Sequence, residues 1–160
     1  MLRARQLIPA LTLRDKQGHS VQAWDYKSKK NLVIAFLDAD CPECRTFVSS
    51  LAERAAELEE KEAVVLLAFR EAPNAALGAL PPTFLSGVTT NSCGARESLG
   101  NDAVSNGTCG VFVTDRYGEV LGQWSVTQHE FPPIERILSS LNLAEIACEE
   151  CGVSEWPVDE

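Results

Sequence analysis

The 160-residue sequence has no apolar run approaching the length of about 20 residues that crosses a bilayer. It is short of positive charge, with 14 lysines and arginines against 23 acidic residues and a formal charge of -9. That balance repels nucleic acid and anionic lipid surfaces and favours solubility, so neither nucleic acid nor membrane is an expected partner. Histidine is scarce: His19 and His129 are the whole supply, and both read as surface residues rather than ligands. There is no internal repeat and no low-complexity tract. The N-terminal MLRARQLIPALTLRDKQG has basic residues, but Pro9 breaks its apolar stretch and charge follows instead of a small-residue cleavage site. No export signal is read, and the expected compartment is the cytoplasm.

The length suits one domain with a core large enough to need neither disulfides nor metal. Six cysteines stand at 41, 44, 93, 109, 148 and 151, four of them in two C-x-x-C pairs instead of spread as in a secreted disulfide framework. In a chain without a signal this spacing means redox or metal. The expected organisation is a domain over residues 1–146 and a C-terminal tail, 147–160, carrying the second pair.

Leu11 to Asp15, the turn Lys16-Gln17-Gly18 and Val21 to Trp24 predict a β-hairpin, an accessory feature. Asn31 to Asp38 is a continuous apolar run, the mark of a central strand buried on both faces. From Pro42, Phe47, Leu51, Ala55 and Leu58 recur at helical spacing, and Ala63 to Phe69 is a second buried strand, so strand, helix and strand make a parallel crossover. Pro73 to Pro82 is a connection, Phe84 to Thr90 a further strand, and Cys93 to Leu99 a short helix. Gly110 to Asp115, the turn Arg116-Tyr117-Gly118 and Glu119 to Val126 predict a second hairpin, followed from Pro132 by a helix carrying Ile134, Ile137, Leu138 and Leu141. The tryptophans Trp24, Trp124 and Trp156 read as packing residues.

This order, with LTLRDKQGHSVQAW as first hairpin, LVIAFLDADCPECR as strand plus turn and GVFVTDRYGEVLGQW as late hairpin, resembles the redoxin branch of the thioredoxin superfamily, which includes alkyl hydroperoxide reductase/thiol-specific antioxidant proteins. The resemblance implies an α/β thioredoxin-like fold: a central mixed β-sheet flanked by helices on both faces, with an N-terminal β-hairpin extension. It also implies a thiol–disulfide oxidoreductase serving cell redox homeostasis, with Cys41 as nucleophile and Cys44 as resolver. At a helix N-terminus the dipole and unpaired N–H groups favour a thiolate at Cys41; Pro42 tolerates that first turn, and Cys44 lies one turn on. The implied partners are a disulfide-containing protein or small thiol/disulfide substrate and a thiol electron donor.

Several positions depart from the family. Asp38, Asp40 and Glu43 surround the pair with negative charge, which disfavours a thiolate and predicts a reducing couple. Cys109 falls where thioredoxin-like proteins place a cis-proline, which makes it a possible third thiol near the pair or a small buried filler. Ala35 aligns with the buried acid of thioredoxins, leaving Asp38 or Glu71 as substitutes. A rival, a thiol peroxidase working through Cys44, lacks the family's Thr and Pro, whose positions hold Cys41 and Leu37. No cofactor is expected, although the cysteine pairs leave zinc open, which would make the chain a zinc-stabilised binding protein. Cys148 and Cys151 are open between a relay to the first pair, a zinc site and an inert disulfide, and Cys93 is unplaced.

Overall fold

The computed structural model describes residues 12–15, 18–26, 29–37, 42–69, 80–89, 109–126 and 131–144. Two seven-residue strands, β3 (Asn31–Leu37) and β4 (Ala63–Phe69), are buried at every position and run parallel in register, Asn31 beside Ala63 and Leu37 beside Phe69. Strands lined with apolar residues on both faces are stable only where both faces are covered. They form the middle of a seven-stranded sheet that also contains β1 (Thr12–Arg14), β2 (Ser20–Gln22), β5 (Phe84–Thr89), β6 (Cys109–Thr114) and β7 (Val120–Val126), in the order β2-β1-β5-β4-β3-β6-β7. β5 continues the parallel set, while β1, β2, β6 and β7 pair antiparallel, so the sheet is mixed.

The two-residue period of the strands divides the core. Val33, Ala35, Leu37, Val65, Leu67, Val111 and Val113 face one side, where they meet the helices α1 (Pro42–Glu53), α2 (Ala55–Glu60) and α3 (Ile134–Ala144). Leu32, Ile34, Phe36, Leu66 and Phe112 face the other, where Ala23 and Tyr26 of the short 3-10 helix Ala23–Tyr26 pack. Phe36 and Phe112 meet edge to face, 5.9 Å between centroids. Helices on both sides were expected; the α-helices described lie on one side and the 3-10 helix on the other, and the predicted helix Cys93–Leu99 lies outside the described residues.

Two expectations are corrected. The first hairpin is not an accessory: β1 pairs with β5, Leu13 opposite Thr89 and Arg14 opposite Val88, and thereby extends the main sheet. Gly87 permits the approach, because a Cβ there would lie 2.8 Å from the Arg14 carbonyl oxygen. The helix after Pro42 is not continuous either. It breaks at Arg54 (φ -106°, ψ 21°), whose guanidinium grips both carboxylate oxygens of Glu57 at 2.6 and 2.8 Å and reaches Glu135 of α3 at 3.1 Å. Periodicity along one helix carries no sign of that third partner. Glu57 and Glu135 titrate below the usual glutamate range, Glu57 chiefly through Arg54 and Glu135 chiefly through a backbone N–H at the helix start.

Both hairpins close on the same turn, D-x-x-G. In Asp15-Lys16-Gln17-Gly18-His19 and in Asp115-Arg116-Tyr117-Gly118-Glu119 the Asp N–H donates to the carbonyl four residues on. In each, the Gly N–H donates to the Asp carbonyl and the fifth residue's N–H donates to Asp Oδ1. Gly18 and Gly118 take φ of 87° and 84°, which favours glycine. β7 also carries a bulge: Val113 pairs with Gly122 but Thr114 with Val120, so the skipped Leu121 joins Trp124 on the helix side. There Gly122 lets α3 sit close, since a Cβ would lie 2.6 Å from Ser140 Oγ.

Candidate active site

The central strand β3 ends at Leu37 and α1 opens at Pro42, so the redox motif spans the junction between sheet and helix. Residues 38–41 lie outside the described residues, and with them Cys41, Asp38 and Asp40; so do Glu71, Cys93, Cys148 and Cys151. What is described begins one residue after Cys41. Pro42 and Glu43 are exposed and Cys44 is 2% exposed. The first-turn N–H groups of α1 have no acceptor within the helix and form its positive end.

Cys44 points inward with Phe47, Val48 and Leu51, into the cluster that holds Val33, Ala35 and Leu37 of β3. A sulfur enclosed this way is shielded from solvent, whereas the start of the helix is not. Ala35, aligned with the thioredoxin acid, is fully buried in the same cluster, so the methyl group stands where a carboxyl would have been.

Cys109 opens β6 and pairs with Val126. Its neighbour Gly110 pairs with Phe36, one residue before the end of β3, so the Cys109 backbone lies at the sheet end from which α1 departs. The register thus brings position 109 to the end of the sheet from which the C-x-x-C helix departs. His19 is exposed and contacts Asp15 in the first hairpin turn. Among the described residues no group of three or more His, Cys, Asp or Glu is placed to hold a metal ion.

Beside the motif lies a groove of about 530 Å³, lined from α1 by Pro42, Glu43, Thr46, Phe47 and Ser50 and from the segment opening α3 by Phe131, Pro132, Pro133 and Ile134. Phe47 and Phe131 stack, 4.4 Å between centroids and 13° between planes, which fixes the segment against the helix. Thr46 Oγ1 donates to the Pro42 carbonyl at 3.1 Å and Ser50 Oγ to the Thr46 carbonyl at 3.0 Å, so both hydroxyls are turned back on the helix. Sequence reasoning did not find this groove. Its signal was there in Phe131-Pro132-Pro133 ahead of α3 and in the one-face spacing of Glu43, Thr46 and Ser50.

A model of the AhpC/TSA family matches residues 4–77, the stretch holding the first hairpin, β3, the C-x-x-C turn, α1, α2 and β4. Over that stretch, just under half of its length, the chain is similar to the AhpC/TSA family. No curated protein matches the chain in sequence. Among solved structures it is similar to a Chlorobium tepidum protein assigned as thiol:disulfide interchange protein DsbE, with TM-score 0.67 and 21% identity over 88% of this chain and 99% of the other. It is similar also to Mycobacterium tuberculosis AhpC (0.67, 14%, 91% and 99%) and to the mitochondrial 2-Cys peroxiredoxin of Plasmodium falciparum (0.66, 13%, 88% and 93%). At these identities the likeness establishes a thioredoxin-like fold and nothing finer. The match with that family supports thiol-based redox as the class of chemistry.

Proposed function

We propose that this protein is a redoxin and a dithiol–disulfide oxidoreductase of the CPEC type, with Cys41 as nucleophile and Cys44 as resolver, acting in redox homeostasis of the cytoplasm. The observation that carries the assignment of roles is the burial of Cys44 inside the first turn of α1, one residue-pair after an N-terminal position next to exposed Pro42. A nucleophile must meet a bulky substrate disulfide; a resolver needs to meet only the sulfur one helical turn away. In the forward step the Cys41 thiolate attacks the substrate disulfide, forming one S–S bond while the substrate S–S bond breaks and one substrate sulfur leaves as thiolate. Cys44 then attacks Cys41 Sγ, its proton passing to the departing substrate sulfur, which releases the second substrate thiol and leaves Cys41 and Cys44 joined. The substrate has gained two electrons and the dithiol has lost them. A thiol donor of the cell restores the pair, and Cys148 and Cys151 are candidates to pass those electrons on.

Thiol peroxidase activity at Cys44 is the second reading, favoured by the AhpC/TSA match. Against it stand the buried sulfur and Leu37, fully buried where that family's pocket has proline. The deciding experiment reacts the fully reduced, metal-free protein with hydrogen peroxide and, separately, with a model disulfide, and locates the first oxidised sulfur by mass spectrometry. Ready disulfide exchange beginning at Cys41 with slow peroxide reaction supports the oxidoreductase. Rapid oxidation by peroxide at Cys44 establishes the peroxidase instead.

A further inference from the structure

The groove between α1 and the opening of α3 is not used by the thiol chemistry, yet it starts at Pro42, which is covalently next to Cys41. We infer that this groove selects the substrate: it takes a polypeptide segment with a bulky apolar side chain and a cationic side chain close to the cysteine of its disulfide, with Glu43 as a specificity-determining residue. The inference rests on the oxidoreductase reading and extends it from disulfides in general to one class of them.

Four observations carry it. The volume of about 530 Å³ falls in the range of binding pockets, roughly 300–1,000 Å³. The walls are apolar and rigid: the stacked Phe47 and Phe131, then Pro132 and Pro133, whose φ angles the rings fix, then Ile134. The lining hydroxyls of Thr46 and Ser50 already donate to helix carbonyls, so the surface offers chiefly carbon. Among the described residues Glu43 is the one charged residue of the lining, it is exposed, and it belongs to a chain of formal charge -9. An acidic rim over an apolar floor attracts lysine or arginine beside an apolar anchor and repels anionic small disulfides such as oxidised glutathione.

The test uses two disulfide-linked peptides, identical except that the residue beside the cysteine is Lys in one and Glu in the other, with Leu on the far side. The readout is the ratio of their kcat/KM values, from which any change in Cys41 reactivity caused by altering a neighbouring charge cancels. The wild type is expected to prefer the Lys peptide. Glu43→Gln should reduce the ratio about two- to fivefold, the scale of an exposed ion pair, and Glu43→Lys should invert it. Added salt should shrink the wild-type ratio, and Leu to Gly in the peptide should lower kcat/KM roughly tenfold. A ratio near one in the wild type, or one that ignores both Glu43 variants, overturns the inference. Calorimetric binding of the same peptides with Ser for Cys separates it from the parent reading. Preference for the Lys analogue without disulfide turnover would end the oxidoreductase assignment and keep the groove, while equal or absent binding would end the groove.

Discussion

Asp115 anchors the β6–β7 hairpin from inside. It is 1% exposed, and its Oδ1 accepts the Tyr117 N–H at 2.8 Å and the Glu119 N–H at 3.0 Å. Burial pushes its carboxyl pKa up, against the lowering pull of the Glu119 and Tyr117 hydrogen bonds. Asp115→Ala removes both bonds and leaves two amides short of a partner, an expected loss of about 2–4 kcal/mol. Asp115→Asn keeps an oxygen in the acceptor position and removes the charge that burial disfavours, so it should stay within about 1 kcal/mol of wild type near neutral pH. The sign of the pH dependence follows from the raised pKa. The folded state holds the Asp115 proton more tightly than the unfolded chain, so this group's contribution is fully present below the unfolded value of about 3.9 and lost as pH rises through the folded pKa. The Asn variant has no such loss, so its stability relative to wild type should rise across that window and then level. Asp15, which holds the equivalent place in the first hairpin's turn but is half-exposed, is the internal control, and Asp15→Ala should cost no more than about 1 kcal/mol. Urea unfolding followed by tryptophan fluorescence, from pH 4 to 7.5, measures all four proteins. The reasoning fails if Asn costs as much as Ala, if the Asn-minus-wild-type difference falls with pH in the window, or if Asp15→Ala costs as much as Asp115→Ala.

Two further outcomes are expected. Gly122→Ala places a methyl group 2.6 Å from Ser140 Oγ and 3.0 Å from the Trp124 ring, a destabilisation of about 1–3 kcal/mol that Ser140→Gly should partly relieve; a double-mutant cycle without coupling would refute the close contact. Cys44→Ser should leave the mixed disulfide on Cys41 unresolved, so that a covalent complex with substrate accumulates on non-reducing mass spectrometry; turnover as fast as wild type would remove Cys44 from the resolving role.

How much of this was legible in one dimension varies with the kind of order involved. β3 and β4 were plain because a strand buried on both faces must be apolar throughout, and their runs at 31–37 and 63–69 have nothing else to be. The late hairpin was plain because Gly118 and Asp115 write the turn chemistry into adjacent residues. The placement of Cys44 at the start of a helix followed from the switch of period after Pro42. By contrast, the joining of the first hairpin to the sheet depends on Gly87 meeting Arg14, residues 73 positions apart in numbering, 87 minus 14. The break at Arg54 has its third partner on α3, 81 residues away.

The sequence by itself determined the elements and the C-x-x-C spacing ahead of a helix, because hydrophobic period, turn residues and cysteine spacing are local properties of the chain. Only the tertiary structure decided that Cys44 is enclosed, that Ala35 leaves an apolar neighbour where an acid was sought, and that Cys109 opens its strand at the active-site end. It alone also brought Phe131, Pro132 and Pro133 against Phe47 to make a groove. Burial and juxtaposition depend on which distant segments pack together, and no spacing within a segment encodes that.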